Sequence, residues 1–399
     1  MSSAFHSSSS RRLYIGVTVA TFLVFTTGAC LSFLATALAS VGFDPARTGV
    51  FVSGGAIPVM ICGLLAGKLL TVIRARMVLI LGILMVAAGY ASLAWSSRMG
   101  QTNAPAASLA VMIGGMGLFM PAAFVLVRGT LIPARLMQFV GIYGAMQLLP
   151  SLFGPTVAQQ IFGSQGLFSY FLITSVPAFL AAAVLLAMPD PQAPVAGASV
   201  ASSASYLSLL SQFQVLLPCW GGFVSAAVFG AVNIFVVSLL AAAGTPIHMF
   251  FVPFVVAYLV ARFLLLDYVR RLRTQLAAGA GIGFMALGVA TLWVSGAGNA
   301  SAVAAALQFG LGFSITYPVL MVWIASLFAP AVSARPVGLF NATYTFGMYG
   351  SPLAGGLLLS TWGPTAFYVC VVGLGLLTAA ALMLYRTPDP SPIPKGKAA

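Results

Sequence analysis

Glutamate is missing from this sequence, and its only side-chain carboxylates are Asp44, Asp190, Asp267 and Asp389. Histidine occurs twice, at His6 and His248. Hydrolytic or group-transfer chemistry needs a positioned acid–base pair or an activated nucleophile, and no such constellation can be assembled from so few groups. A membrane-embedded enzyme is therefore a distant reading. Cys30, Cys62, Cys219 and Cys370 all fall inside apolar runs without metal-ligand spacing. They read as small buried residues rather than as a disulfide framework. Charge is scarce too. Only 5% of the 399 residues are charged, against about a quarter in a soluble domain, which excludes an ordinary soluble fold.

Apolar residues are what the chain has, at 61%. Runs long enough to span a bilayer as single helices recur over 13–39, 48–71, 76–95, 106–131, 136–160, 167–188, 212–241, 247–267, 275–295, 300–328, 335–360 and 364–385. Helices are required because lipid cannot satisfy open backbone groups. The expected fold is thus an all-α polytopic membrane protein with twelve transmembrane helices. The net charge of +13 does not indicate nucleic acid, because of where the charges fall. With the N-terminus inside, the inner segments hold 15 of the 17 Lys and Arg residues, and the outer loops hold only Arg47 and Arg98. That bias places both termini in the cytoplasm. The short polar leader MSSAFHSSSSRR precedes a run too long for a signal-peptide core, so the run reads as a retained first helix.

A stretch rich in Pro, Ser and Ala, PDPQAPVAGASVASSASYLS over 189–208, interrupts the apolar pattern as a linker does. The chain divides into a tail (1–12), a six-helix bundle (13–188), a linker (189–211), a second bundle (212–385) and a tail (386–399). The two bundles are related. PAAFVLVRGTLIP (121–133) and PVLMVWIASLFAP (318–330) share both prolines at a separation of 197 residues. The same separation relates Gly115 to Gly312, Gly141 to Gly338, Pro155 to Pro352, and Arg74 and Arg76 to Arg271 and Arg273. Duplication of a six-helix unit explains this, and two such halves about a central path are a recurring transporter design.

Three segments carry a family resemblance. GKLLTVIRARMVL (67–79) resembles the Gly-x-Leu-Ala-Asp-Arg-x-Gly-Arg-Arg loop of the major facilitator superfamily, with Thr71 at the acidic position. RFLLLDYVRRLRTQL (262–276), in the equivalent place of the second half, keeps an acid, Asp267, ahead of Arg270, Arg271 and Arg273. GIYGAMQLLPSLFGPTVAQQ (141–160) is similar to the Gly-rich, Gly-Pro-ending motif of the family's exporters, through Gly141, Gly154 and Pro155. The resemblance covers nearly the whole chain. It implies a monomeric secondary transporter in the bilayer, working by alternating access on a small-molecule substrate. Efflux across a bacterial inner membrane is the favoured direction, and an organic-anion importer or facilitator is the alternative. No cofactor, metal or nucleic-acid partner is implied.

Among candidate coupling or gating groups, Asp267, Arg74, Arg76, Arg271 and Arg273 read either as headgroup anchors or, by the resemblance, as a latch between helix ends. His248 is the other titratable group near a span. No carboxylate lies at mid-membrane, so proton coupling stays open. Substrate-binding candidates follow from polar groups inside apolar runs. Arg128 lies five residues before Pro133, about 7–8 Å from the inner end and within snorkelling reach. Arg262 lies about 12 Å before Arg270 and so should face protein or a wet cavity. Tyr143 and Gln147 share one helical face, as do Asn341 and Tyr344, and Tyr317 is a further candidate. Gln147 and Tyr344 are separated by 197 residues. These groups read as a cavity lining for a neutral or anionic solute, such as a siderophore-like compound, or as hydrogen bonds between helices.

Overall fold

A computed structural model of the chain describes residues 5, 7–99, 104–132, 136–188, 209, 211–269, 271–328 and 334–385. Most of the linker expected over 189–211 and the tail over 386–399 lie outside the described residues, as do Arg135 and Arg270. The first half contains α1 (Ser8–Ala29), α2 (Leu34–Ala39), α3 (Pro45–Ser53), α4 (Ala56–Val72), α5 (Ala75–Arg98), α6 (Ala104–Thr130), α7 (Leu136–Leu148) and α8 (Gly154–Leu186). The second contains α9 (Phe213–Ala242), α10 (His248–Val260), α11 (Leu266–Val269), α12 (Thr274–Val294), α13 (Asn299–Ser326), α14 (Ala334–Thr361) and α15 (Gly363–Leu384).

Among the described residues, ten helical runs are long and apolar enough to cross a bilayer, which makes this a multi-pass integral membrane protein. One run, Ile142–Leu186, has 45 residues, about 68 Å at 1.5 Å per residue and twice the hydrocarbon thickness of about 30 Å. Gly166, at φ 77° and ψ −175°, breaks it inside α8. Only glycine takes up that backbone geometry readily. The 28-residue α14 is not among the ten; its interior carries Asn341, Thr343, Tyr344, Thr345 and Ser351.

Local chemistry sets where helices start and break. α1 begins at Ser8, ahead of the expected 13, because the Ser7 hydroxyl accepts a hydrogen bond from the Ser10 N–H at 3.0 Å and caps it. Asp44 caps α3 in the same way through the Arg47 N–H at 2.7 Å. The run expected as one helix over 136–160 contains a 3₁₀ turn, Leu149–Leu152, where Pro150 has no N–H to give to the helical ladder. Between α10 and α11 the chain makes a π-turn, Ala261–Leu265.

The bundle end at which α1 starts (the terminal face) gathers Phe5 against Phe139, Arg76 against the Leu186 carbonyl, and Phe213 against Tyr385. The duplication is visible in the packing. Gly115 brings α6 onto the Gly82 carbonyl of α5, and Gly312 brings α13 onto the Gly281 carbonyl of α12. In each case a side chain would collide with backbone, which is why small residues hold these helix contacts. Among the described residues, four hydrogen bonds join the two halves toward the opposite face. Ser32 donates to Asn233 Oδ1 at 2.8 Å, and Thr36 and Ser238 lie 3.2 Å apart. Ser53 donates to the Gly350 carbonyl and accepts from the Leu353 N–H, both at 2.9 Å. Toward the terminal face, the halves meet where Arg262 approaches Gly144.

Candidate functional site

Four helical segments bring polar side chains to one level of the bundle. Tyr143 and Gln147 lie 7 and 11 residues from the start of α7, and Asn341 and Tyr344 lie 7 and 10 residues from the start of α14. Tyr317 is 9 residues before the end of α13, and Arg262 is 7 residues before the end of α11. At 1.5 Å per residue, all lie about 10–16 Å from the terminal face. That depth is well inside an apolar layer about 30 Å thick.

Arg262 is the centre of this level. It sits in the π-turn, half-buried, and its Nη2 lies 3.2 Å from the place a Cβ would occupy on Gly144. The missing side chain at Gly144 is what lets the guanidinium reach across to α7. Its Nε is buried and has no hydrogen-bond partner. Arginine offers five donors and no acceptor, so this group is set to receive an electron-rich partner. Tyr258, one turn earlier on α10, and Tyr317 both lie within its electrostatic reach.

The wall facing it is aromatic. The Tyr317 hydroxyl donates to Asn341 Oδ1 at 3.0 Å. Its ring meets Tyr344 edge-on at 4.8 Å between centroids, and Phe340 packs at 5.9 Å. Tyr143 is buried; its hydroxyl lies near Thr21 and Gln147 but closes no hydrogen bond. A buried donor left open is costly and, like the Arg262 Nε, marks a place for a ligand or water. Among the described residues, no group of three His, Cys, Asp or Glu side chains gathers to hold a metal.

The other candidates lie elsewhere. Arg128 is exposed in the last turn of α6 and makes none of these contacts. Arg74 is exposed at the N-cap of α5, and Arg76 donates from Nη2 to the Leu186 carbonyl at 2.8 Å. Arg271 lies over the Tyr268 ring at 5.7 Å, and Arg273 is exposed ahead of α12. Asp267 is placed by its backbone in α11, and its side chain lies outside the described residues. His248 is exposed at the start of α10 and lines a cavity of about 600 Å³ near the opposite face, together with Gln159, Thr36 and Thr245. Sequence reasoning passed over Tyr258 and Phe340. Each is four residues from a group it did single out, Arg262 and Tyr344, and so shares a helical face with it.

Two helical halves meet around this polar, arginine-bearing level. The family model of the Major Facilitator Superfamily matches residues 17–348, and the chain belongs to that family. Among curated proteins, no sequence matches. Solved structures share the fold at low identity. A D-xylose-proton symporter is similar with a TM-score of 0.79 at 15% identity, over 95% of this chain and 98% of that one. The nucleoside transporter NupG is similar at 0.69 and 15%, over 94% and 100%. The human organic anion transporter MFSD10 is similar at 0.67 and 17%, over 94% and 100%.

Proposed function

We propose that this protein is a twelve-span secondary transporter that exports a small anionic or hydrogen-bonding organic solute by alternating access. The span count follows from dividing Ile142–Leu186 at Gly166 and adding α14 to the ten apolar runs. The 15-to-2 bias of basic residues supports cytoplasmic termini, in a bacterial inner membrane. The terminal face is then the cytoplasmic one, and the seam near the opposite face is closed toward the outside.

One observation carries the substrate class: the buried, unpartnered Nε of Arg262 at the junction of the halves. A cation at that depth costs a few kcal/mol on insertion scales, so it calls for an electron-rich partner. A carboxylate, hydroxamate or phosphate on the solute supplies the missing partner, and the phenols and the Asn341 amide hold its remaining polar groups. The human relative's description as an organic anion transporter agrees with this class. Export is supported by the Gly154-Pro155 step of the exporter-like segment, where Gly154 packs against Ala29 of α1.

The test compares transport by Arg262→Lys and Arg262→Ala at matched membrane abundance. A charge-assisted hydrogen bond contributes about 1.5–3 kcal/mol, so Arg262→Ala weakens apparent affinity by roughly 10- to 100-fold, while Arg262→Lys keeps part of it. Equal transport by both variants rules out the contact. For direction, a deletion strain retains a metabolite that its parent secretes; identical extracellular metabolites in the two strains argue against export.

A further inference from the structure

Near the opposite face, α3 and α14 meet along a single stripe. Pro45, Gly49 and Ser53 are spaced four apart and therefore share one face of α3. They meet, in reverse order along α14, Gly356, then Pro352 with Leu353, then Gly350. Two of the contacts are backbone on backbone. A side chain on Gly49 would run into the Pro352 carbonyl, and one on Gly356 would run into the Pro45 carbonyl.

The third contact is of a different kind. Pro352 has no N–H, so the Met348 carbonyl one turn earlier loses its ladder donor. Immediately beside that gap, the Ser53 hydroxyl donates to the Gly350 carbonyl and accepts from the Leu353 N–H. A hydroxyl has one proton to give and lone pairs to receive, and here both uses are taken by backbone on either side of the proline. The side chain from one half thus engages the weakened turn of a helix in the other half. Side chains inserted at such points are a recognised cause of helix bending.

The counterpart seam lacks this arrangement. There α8 carries Gln159 where α14 carries Gly356, at the 197-residue separation. Gln159, together with Pro246 just ahead of α10 and His248 at its start, lines the cavity of about 600 Å³ instead of closing it. One seam of this face is closed backbone to backbone and the other is held apart, so of these two seams the α3–α14 one carries the closure, alongside the Ser32–Asn233 and Thr36–Ser238 contacts between the halves.

We propose that Ser53 is a positioning residue for the transport cycle. Its hydroxyl latches α3 onto the proline-weakened turn of α14 only while the opposite face is closed, and it sets the balance between the two access states. The proposal rests on the alternating-access reading above. It assigns to Ser53 no contact with substrate.

The test reads conformation rather than flux. Spin labels at Val41→Cys and Trp362→Cys, both exposed near the opposite face in different halves, report the separation of the halves across the membrane plane. The accessible Cys62 and Cys370 are replaced by Ser, and the protein is held in lipid nanodiscs. Wild type shows a short distance and a minor long one. Ser53→Ala removes two hydrogen bonds of about 1 kcal/mol each, so the short-to-long ratio falls about five- to thirtyfold. Ser53→Thr keeps the hydroxyl and the wild-type ratio, and Gly49→Val, which blocks the close approach, also favours the long distance. Two distances in wild type with an unchanged ratio in Ser53→Ala overturn the latch and leave alternating access standing. A single invariant distance in every variant overturns both.

Discussion

Arg262 and Arg128 look alike in sequence, each a lone arginine in an apolar run, and the structure separates them. Arg128 is two residues from the end of α6, about 3 Å, and its side chain is exposed. Arg262 lies deeper, on a π-turn that aims it at Gly144. Arg128→Gln is therefore expected to change transport by less than about twofold, as checked by initial rates at matched abundance. Gly144→Val occupies the space under the guanidinium and is expected to raise KM about tenfold or more, with kcat less affected. Tyr317→Phe leaves the Asn341 amide oxygen without its donor. An unsatisfied buried acceptor costs about 1–3 kcal/mol, so this variant should melt at lower temperature and bind solute more weakly, both readable by thermal shift with and without ligand.

At the scale of elements, hydropathy located the helical runs within a few residues, because a bilayer imposes a length on each one. It did not show what happens inside them. Pro150 announces a break in its run, and the 3₁₀ turn Leu149–Leu152 is there. The π-turn Ala261–Leu265 reads simply as ARFLL, with neither proline nor glycine to mark it. Such insertions are found mostly at functional positions, and this one holds Arg262, the proposed solute contact. Gly166 is the converse case, an ordinary-looking glycine whose φ of 77° interrupts a 45-residue helical run. Gly166→Val is expected to cost about 1–3 kcal/mol and to lower the melting temperature in detergent, without changing solute affinity in the fraction that folds. Ser53 was also invisible beforehand, because its partners are backbone groups 297 and 300 residues away.

For the whole molecule, the internal repeat was the most legible feature. It was carried by residues whose job is geometric, such as Gly115 and Gly312, which pack α5 on α6 and α12 on α13 in the same way. The repeat explains the scaffold, and departures from it point to function. Arg262 has Leu65 as its twin, so the scaffold needs no charge there, and Gln159 stands where the other half has the seam glycine Gly356. Polar groups from the two halves converge on one level because α7, the α10–α11 turn, α13 and α14 all pass through the middle of the bundle. That convergence is a tertiary fact no local pattern encodes. The most direct measurement of the account is solute flux into proteoliposomes of purified protein, using size-matched organic anions, neutral compounds and cations. The account predicts saturable movement of an anion, recovered chemically unchanged and lost in Arg262→Ala. Preference for the cation, or equal anion flux in Arg262→Ala, would contradict it.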